Sequence, residues 1–258
     1  MVGGTGSAGE EALNTPLQIA TTPEGVRFGL LGEPGPAPAP LLLVFAANLE
    51  TSLGTDPYNR TALALLPKGY RCASLDLPCH GLDCRPGEPE GLKGWRSRLD
   101  QGEDLVGPFT AQVSQVLDHL IGMGIADQGR VASCGTSRGG FMVAHAMAAD
   151  SRIRAAALFA PVTVLSALSE FSGQGEHPLT HSLSLASLAP RLAARSLWAS
   201  IGHRDGRVGT DHCIAFCRQV VTAAREQPAD CSLQVLPTEG HQTPEGAYEE
   251  AASWISAR

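Results

Sequence analysis

Apolar residues gather in short runs along the chain, at Leu41–Ala47, Cys72–Leu75, Val131–Cys134, Ala155–Ala160, Leu197–Ile201 and Leu233–Leu236. The runs carry few charges, the pattern of strands covered on both faces of a parallel sheet. Between them, apolar positions recur at spacings of three and four. Val106, Phe109, Val113, Val116, Leu117 and Leu120 form one such stripe, Phe141, Ala144, His145 and Ala148 a second, and Cys213, Cys217, Val220, Val221 and Ala224 a third. Each predicts a helix with one buried face. Thr243 and Pro244 suit the cap and first position of a last helix running through Ile255. Upstream, Leu17–Thr21 and Val26–Leu31 flank Pro23-Glu24-Gly25 and predict an antiparallel hairpin at a sheet edge. Gly32–Pro40, with four prolines, is a loop. The alternation predicts an α/β fold: a mostly parallel sheet with an antiparallel N-terminal hairpin and helices on both faces. Ligands of such sheets meet the loops at the carboxyl ends of the strands.

Two stretches interrupt the alternation. Val162–Pro190, rich in Ser, Gly, His and Leu, is expected to form a small cap over the site, and Gly87–Gly94 a second polar loop. Residues 1–16 lack apolar periodicity and are expected to be a flexible N-terminal segment, leaving 17–258 as a single domain. Composition narrows the partners. The chain has 258 residues, 43% hydrophobic and 17% charged, enough for one sizeable core. A net charge of −7 provides no basic field for nucleic acid or for an anionic membrane surface, which leaves a small-molecule partner. The longest apolar run, Leu41–Ala47, falls far short of the ~20 residues of a membrane helix. No secretory leader is visible at the start, and seven cysteines, an odd number, argue against a disulfide framework. A reducing, cytoplasmic setting is the expectation.

The sharpest chemical feature is Gly135-Thr136-Ser137-Arg138-Gly139-Gly140, a G-x-S-x-G sequence between a strand and a helical stripe. A strand that turns at once into a helix forces the backbone at Ser137 into a tight conformation, and side chains at 135 and 139 would collide with the neighbouring elements. The hydroxyl is left exposed at the sheet's carboxyl edge, beside amides at a helix start that favour negative charge. A serine needs a base to become a nucleophile. His241 follows Gly240 in the loop after the last strand and emerges at the same edge. His145 lies on a buried stripe, His119 within a helix and facing solvent, and His80 in an earlier loop. The base in turn needs an orienting carboxylate. Asp205, just past the strand ending at Ile201, can reach the adjacent final loop; Asp211 and Glu239 are weaker candidates.

The chain resembles an α/β-hydrolase. The resemblance rests on Asp76–Gly81 after the second parallel strand, on the turn Gly135–Gly140, and on Gly202–Val208 with Gly240-His241 downstream, and it spans about residues 17–256. The doubled glycine and the Gly-x-x-Asp-x-x-Val pattern are most similar to the dienelactone-hydrolase and prolyl-oligopeptidase branch. The resemblance implies Ser137 as nucleophile, His241 as general base and acid, and Asp205 as the orienting acid. Where many relatives carry His-Gly after the first parallel strand, this chain has Phe45-Ala46-Ala47-Asn48. An oxyanion hole needs two donors. The first would be the amide of Arg138 and the second the amide of Ala47 or Asn48, with the Asn48 side chain either donating or fixing the loop.

The remaining signals are weaker. Cys79, His80, Asp83 and Cys84 are close together but lack a second ligand pair, and His177 and His181 flank Pro178, which disfavours a regular helix, so no metal is expected. No dinucleotide or phosphate loop occurs, and no cofactor is expected. Cys213 and Cys217 read as buried small hydrophobes. Arg138, Arg204 and Arg207 approach the same edge and would suit either an anionic acyl group or ion pairs. The expected activity is carboxylic-ester hydrolysis through an acyl-enzyme on Ser137. The same residues permit amide or thioester cleavage and acyl transfer; a peptidase of this branch is expected to add a gating domain. A catalytically silent binding protein is the rival from another class.

Overall fold

A computed structural model describes residues 16–33, 35, 38–173, 177–225 and 228–258. Most of the segment expected to be flexible, residues 1–15, lies outside them. The strands are β1 Gln18–Thr21, β2 Arg27–Leu31, β3 Ala39–Phe45, β4 Arg71–Ser74, β5 Ala126–Thr136, β6 Ile153–Phe159, β7 Ser196–Gly202 and β8 Cys231–Leu236. They form one sheet in the order β1-β2-β4-β3-β5-β6-β7-β8. β1 and β2 pair antiparallel as a hairpin, β2 joins β4 antiparallel, and from β4 to β8 all pairings are parallel. β5 is therefore central, with β3 on one side and β6, β7 and β8 on the other.

Alternate residues of the parallel strands enter two cores. Leu41, Leu43, Phe45, Leu158, Leu197, Ala199 and Ile201 face one side of the sheet. They meet α3 (Leu92–Asp100), α4 (Val106–Gly122), α5 (Arg138–Ala149) and α8 (Thr210–Ala223) through Trp95, Phe109, Val113, Leu117, Phe141, Cys213 and Cys217. Leu42, Val44, Ala132, Cys134, Phe159 and Trp198 face the other side, against α2 (Arg60–Leu65) and α9 (Ala247–Ser256). No described helix is long and apolar enough to cross a membrane.

Several local expectations are corrected. α9 begins at Ala247, not at Pro244, because Gly246 adopts φ +74° and resets the chain direction between them. The stripe of α8 includes Phe216, whereas Val221 is 51% exposed. The loop read at Gly87–Gly94 ends early, where α3 starts at Leu92. Pro178 opens the five-residue α6 (Pro178–Ser182), at a position where a missing N–H costs nothing. His119 is half-buried, its ring edge-on to Phe28 at 5.8 Å. Other short helices also escaped prediction, among them α1 (Leu49–Gly54) and α2, each six residues long, and the four-residue α7 (Ala189–Leu192).

The loop between β4 and α3 is fixed by a nearly buried ion-pair network. Arg98 donates to both carboxylate oxygens of Glu88 at 2.6 and 2.7 Å and pairs with Asp83 at 2.8 Å. The hydrogen bond from Arg98 holds the Glu88 carboxyl down at about 2. Its folded-state pKa lies below the ordinary value of 4.5, so its stabilisation is complete above about pH 4.5 and is lost as pH falls towards 2. Glu88→Gln, which strands the Arg98 charge, is expected to cost about 3 kcal/mol at pH 7. Urea midpoints should fall less between pH 4.5 and 2 in this variant than in the native protein; parallel curves would remove Glu88 from the account.

Candidate functional site

The turn from β5 into α5 puts Ser137 at φ +56° and ψ −114°, a conformation costly for any side chain. It is held there by its N–H on the Phe159 carbonyl at 2.8 Å and by its own carbonyl, which accepts from Val162 N–H at 3.1 Å. The flanking glycines are sterically required. A Cβ at Gly135 would lie 2.5 Å from the Gly139 carbonyl carbon, and one at Gly139 would lie 1.9 Å from the Phe45 carbonyl oxygen.

His241 and Asp205 come to this turn from the ends of β8 and β7. The last register pair, Gly202 with Leu236, brings the two loops side by side, and the His203 N–H donates to the Leu236 carbonyl at 2.8 Å. Asp205 is fixed first: its Oδ1 accepts from the N–H groups of Arg207 and Val208 at 3.0 and 3.1 Å. Its Oδ2 lies 2.8 Å from His241 Nδ1. Burial alone would raise the Asp205 carboxyl, but the hydrogen bonds from His241 and the two amides outweigh it and hold the pKa below its ordinary value. A charged acceptor at Nδ1 keeps the imidazole proton on that nitrogen, leaving the Nε2 lone pair to face the Ser137 hydroxyl, 3.0 Å away. Asp205 and Ser137, 36 and 104 positions from His241 along the chain, thus form one continuous hydrogen-bonded line with it.

A cavity of about 510 Å³ opens over Ser137 and His241. Its wall includes Ala46, Pro57, Tyr58, Leu92, Arg138, Arg207 and the segment 242–246. Tyr248 lies beneath, its hydroxyl bonded to Thr136 Oγ1 at 3.2 Å and Thr243 Oγ1 at 3.0 Å. Neither Ala47 nor Asn48 lines the cavity. The Ala47 N–H faces Ser52 Oγ at 3.4 Å, and the Asn48 side chain accepts from Thr51 N–H at 2.7 Å as the cap of α1. The Asn48 side chain therefore fixes the loop. Arg138 is the first residue of α5, where N–H groups lack intrahelical acceptors and stay available. Tyr58 on the rim went unnoticed in the sequence; its hydroxyl makes no hydrogen bond to another described residue.

The other candidates lie elsewhere. His145 is buried on α5 with Nε2 at 3.2 Å from the Leu183 carbonyl, and burial lowers its pKa to about 4. His80 is buried, with Nδ1 on the Pro78 carbonyl at 2.8 Å; burial, then the Arg138 charge, lowers its pKa. Asp211 sits in the first turn of α8, Glu239 is exposed, and Arg204 does not line the cavity. Asp83 accepts from the Cys79 N–H at 2.7 Å and pairs with Arg98, which ties up the one carboxylate of that group. No described group of three or more His, Cys, Asp or Glu side chains is arranged to hold a metal. The segment 162–190, expected as a cap, contributes no described residue to the cavity wall. Leu165, Leu168, Phe171, Leu185 and Leu188 tie it into the core instead.

The model of the Prolyl oligopeptidase family (Peptidase_S9) matches residues 107–255, which contain Ser137, Asp205 and His241. No curated protein matches the sequence. Among solved structures, acetyl xylan esterase from Paenibacillus sp. R4 superposes with a TM-score of 0.70 at 15% identity, over 96% of this chain and 92% of that one. A chain assigned as a dienelactone hydrolase from Klebsiella pneumoniae subsp. pneumoniae gives 0.68 at 15% identity, over 94% and 99%. Porphyromonas gingivalis dipeptidyl peptidase 4 gives 0.68 at 16% identity, over 95% of this chain but only 35% of the peptidase. The fold is that of an α/β-hydrolase.

Proposed function

Because the chain belongs to the prolyl oligopeptidase family, within the serine hydrolases, we propose that it cleaves carboxylic esters of small or medium size through an acyl-enzyme on Ser137. The observation that carries the reading is the unbroken line from Asp205 through His241 to Ser137, with contacts of 2.8 and 3.0 Å, on a strained turn that opens into a cavity. His241 Nε2 takes the Ser137 proton as Oγ attacks the acyl carbon, and Asp205 stabilises the imidazolium that forms. The oxyanion lies against the Arg138 amide, with the Tyr58 hydroxyl on the cavity wall as the second donor. The imidazolium protonates the departing alcohol. Water, deprotonated by His241, then releases the acid and restores the serine.

Superposition on an acetyl xylan esterase and on a chain assigned as a dienelactone hydrolase supports ester chemistry. Seven free thiols fit a reducing, cytoplasmic setting. Native protein is expected to take up a fluorophosphonate probe at Ser137 and to release 4-nitrophenol from short-chain 4-nitrophenyl esters, with an initial burst where deacylation limits. Labelling with no ester turnover, alongside cleavage of dipeptidyl amides, would replace the esterase reading with a peptidase. No labelling at all would favour a silent scaffold.

A further inference from the structure

Three arginines line the cavity, and two of them are spoken for. Arg207 donates to Glu170 at 2.5 Å and to Ser169 Oγ at 2.9 Å, and Arg60 makes two bonds to Asp56 at 2.6 and 3.1 Å. Arg138 differs. Its guanidinium makes one hydrogen bond, from Nε to the Ala46 carbonyl at 3.2 Å, and no described carboxylate lies within ion-pair distance. Tyr58, then Glu90 and Glu170, act on it only through space, and Glu170 is already taken by Arg207. Burial lowers its pKa, so the charge has lost hydration without gaining a partner. A partly buried arginine fork with its two terminal nitrogens unused suits the planar geometry of a carboxylate.

Position decides which half of the substrate would carry that group. The leaving alcohol must receive its proton from His241 Nε2 and therefore faces the β8 side. β3 and β8 stand on opposite sides of β5, and Arg138 is tied by Nε to Ala46, just past β3. Glu245, four residues beyond His241 in the loop after β8 and on the cavity wall, would repel an anionic leaving group. We propose that Arg138 binds a carboxylate on the acyl portion, so that the preferred substrates are half-esters of short dicarboxylic acids. The assignment rests on the ester-hydrolase reading for the reaction, but not for the binding.

The test compares 4-nitrophenyl hydrogen succinate and glutarate with their neutral methyl esters. Native protein should prefer the charged member of a pair by about tenfold or more in kcat/KM, chiefly through KM, with the preference shrinking as salt rises. Arg138→Gln should bring the ratio to one or below, and Arg138→Lys should restore part of it. Binding without chemistry is measured by calorimetry on Ser137→Ala, using monomethyl glutarate against dimethyl glutarate. Tighter binding of the monoanion, lost in Ser137→Ala/Arg138→Gln, supports the site even if native protein hydrolyses no ester, in which case only the reaction assignment falls. Equal binding of both ligands, or neutral esters turned over as fast as charged ones at both chain lengths, overturns the carboxylate site and leaves the esterase reading intact.

Discussion

Ser137→Ala will fold as the native protein does and lose ester turnover by a factor on the order of 10⁵–10⁶, while Ser137→Gly will lose the same activity and become more stable. The loss follows from the chemistry of the line. Without Oγ, His241 remains bonded to Asp205 but has no nucleophile to activate, and the oxyanion donors alone supply the residual rate. The gain in stability follows from the backbone. Ser137 sits at φ +56° and ψ −114°, where a Cβ is strained and a glycine is not. Relief of a strain of about 1–3 kcal/mol, partly offset by the greater freedom of glycine in the unfolded chain, leaves a net gain of about 1 kcal/mol. Alanine keeps the Cβ and so keeps the strain. Kinetics with a 4-nitrophenyl ester and urea midpoints of the three proteins separate the two effects. A Ser137→Gly midpoint below that of Ser137→Ala would mean the turn is not under strain.

That turn is also the part of the site most legible in the sequence. Its glycines are needed for steric reasons that follow from a strand meeting a helix, so composition and order reveal them. Asp205 and His241 could be placed because each follows an apolar run of a parallel sheet, and all such runs end at the same edge. Strands β3, β4, β6 and β7 stood out because both faces are covered, whereas β8 at the sheet edge, expected to be covered likewise, is only half-buried, with Val235 exposed. β5 proved longer than its apolar run, since Asp127, Gln128, Gly129 and Arg130 extend it where its lower end is exposed.

What could not be read has physical reasons too. A backbone N–H carries no side-chain signature, so nothing distinguished Ala46, Ala47 and Asn48 as donors until their partners were seen. Ser52, which receives the Ala46 N–H at 3.0 Å and that of Ala47 at 3.4 Å, lies in a helix of under two turns, too short for periodicity to show. Tyr58 belongs to the irregular stretch between two such helices. Thr243-Pro244 has the chemistry of a helix start, yet the Thr243 hydroxyl is bonded to Tyr248, and the left-handed Gly246 delays the helix. In the segment 162–190, polar residues conceal the spaced leucines that anchor it in the core.

Gly139→Ala is the substitution expected to damage the fold most. The methyl would stand 1.9 Å from the Phe45 carbonyl oxygen and 2.5 Å from its carbon, both backbone atoms at the end of β3. Neither can swing aside as the end of a flexible side chain would. β3 and α5 must separate by more than an ångström, at an expected cost of about 3–5 kcal/mol. Gly122→Ala is the control: it lies at the end of α4, its added Cβ meets nothing within 4 Å, and it should be neutral or stabilising by up to about 1 kcal/mol. The close approach also has a chemical purpose. It sets the first turn of α5, with the Arg138 amide, against the end of β3, where Ala46 forms the cavity rim. A folded remnant of Gly139→Ala should therefore react slowly with fluorophosphonate even when saturated with it, because the oxyanion donors have been moved off the attacking line. A variant with native urea midpoint and native labelling rate would show that the β3–α5 contact is not what assembles the site.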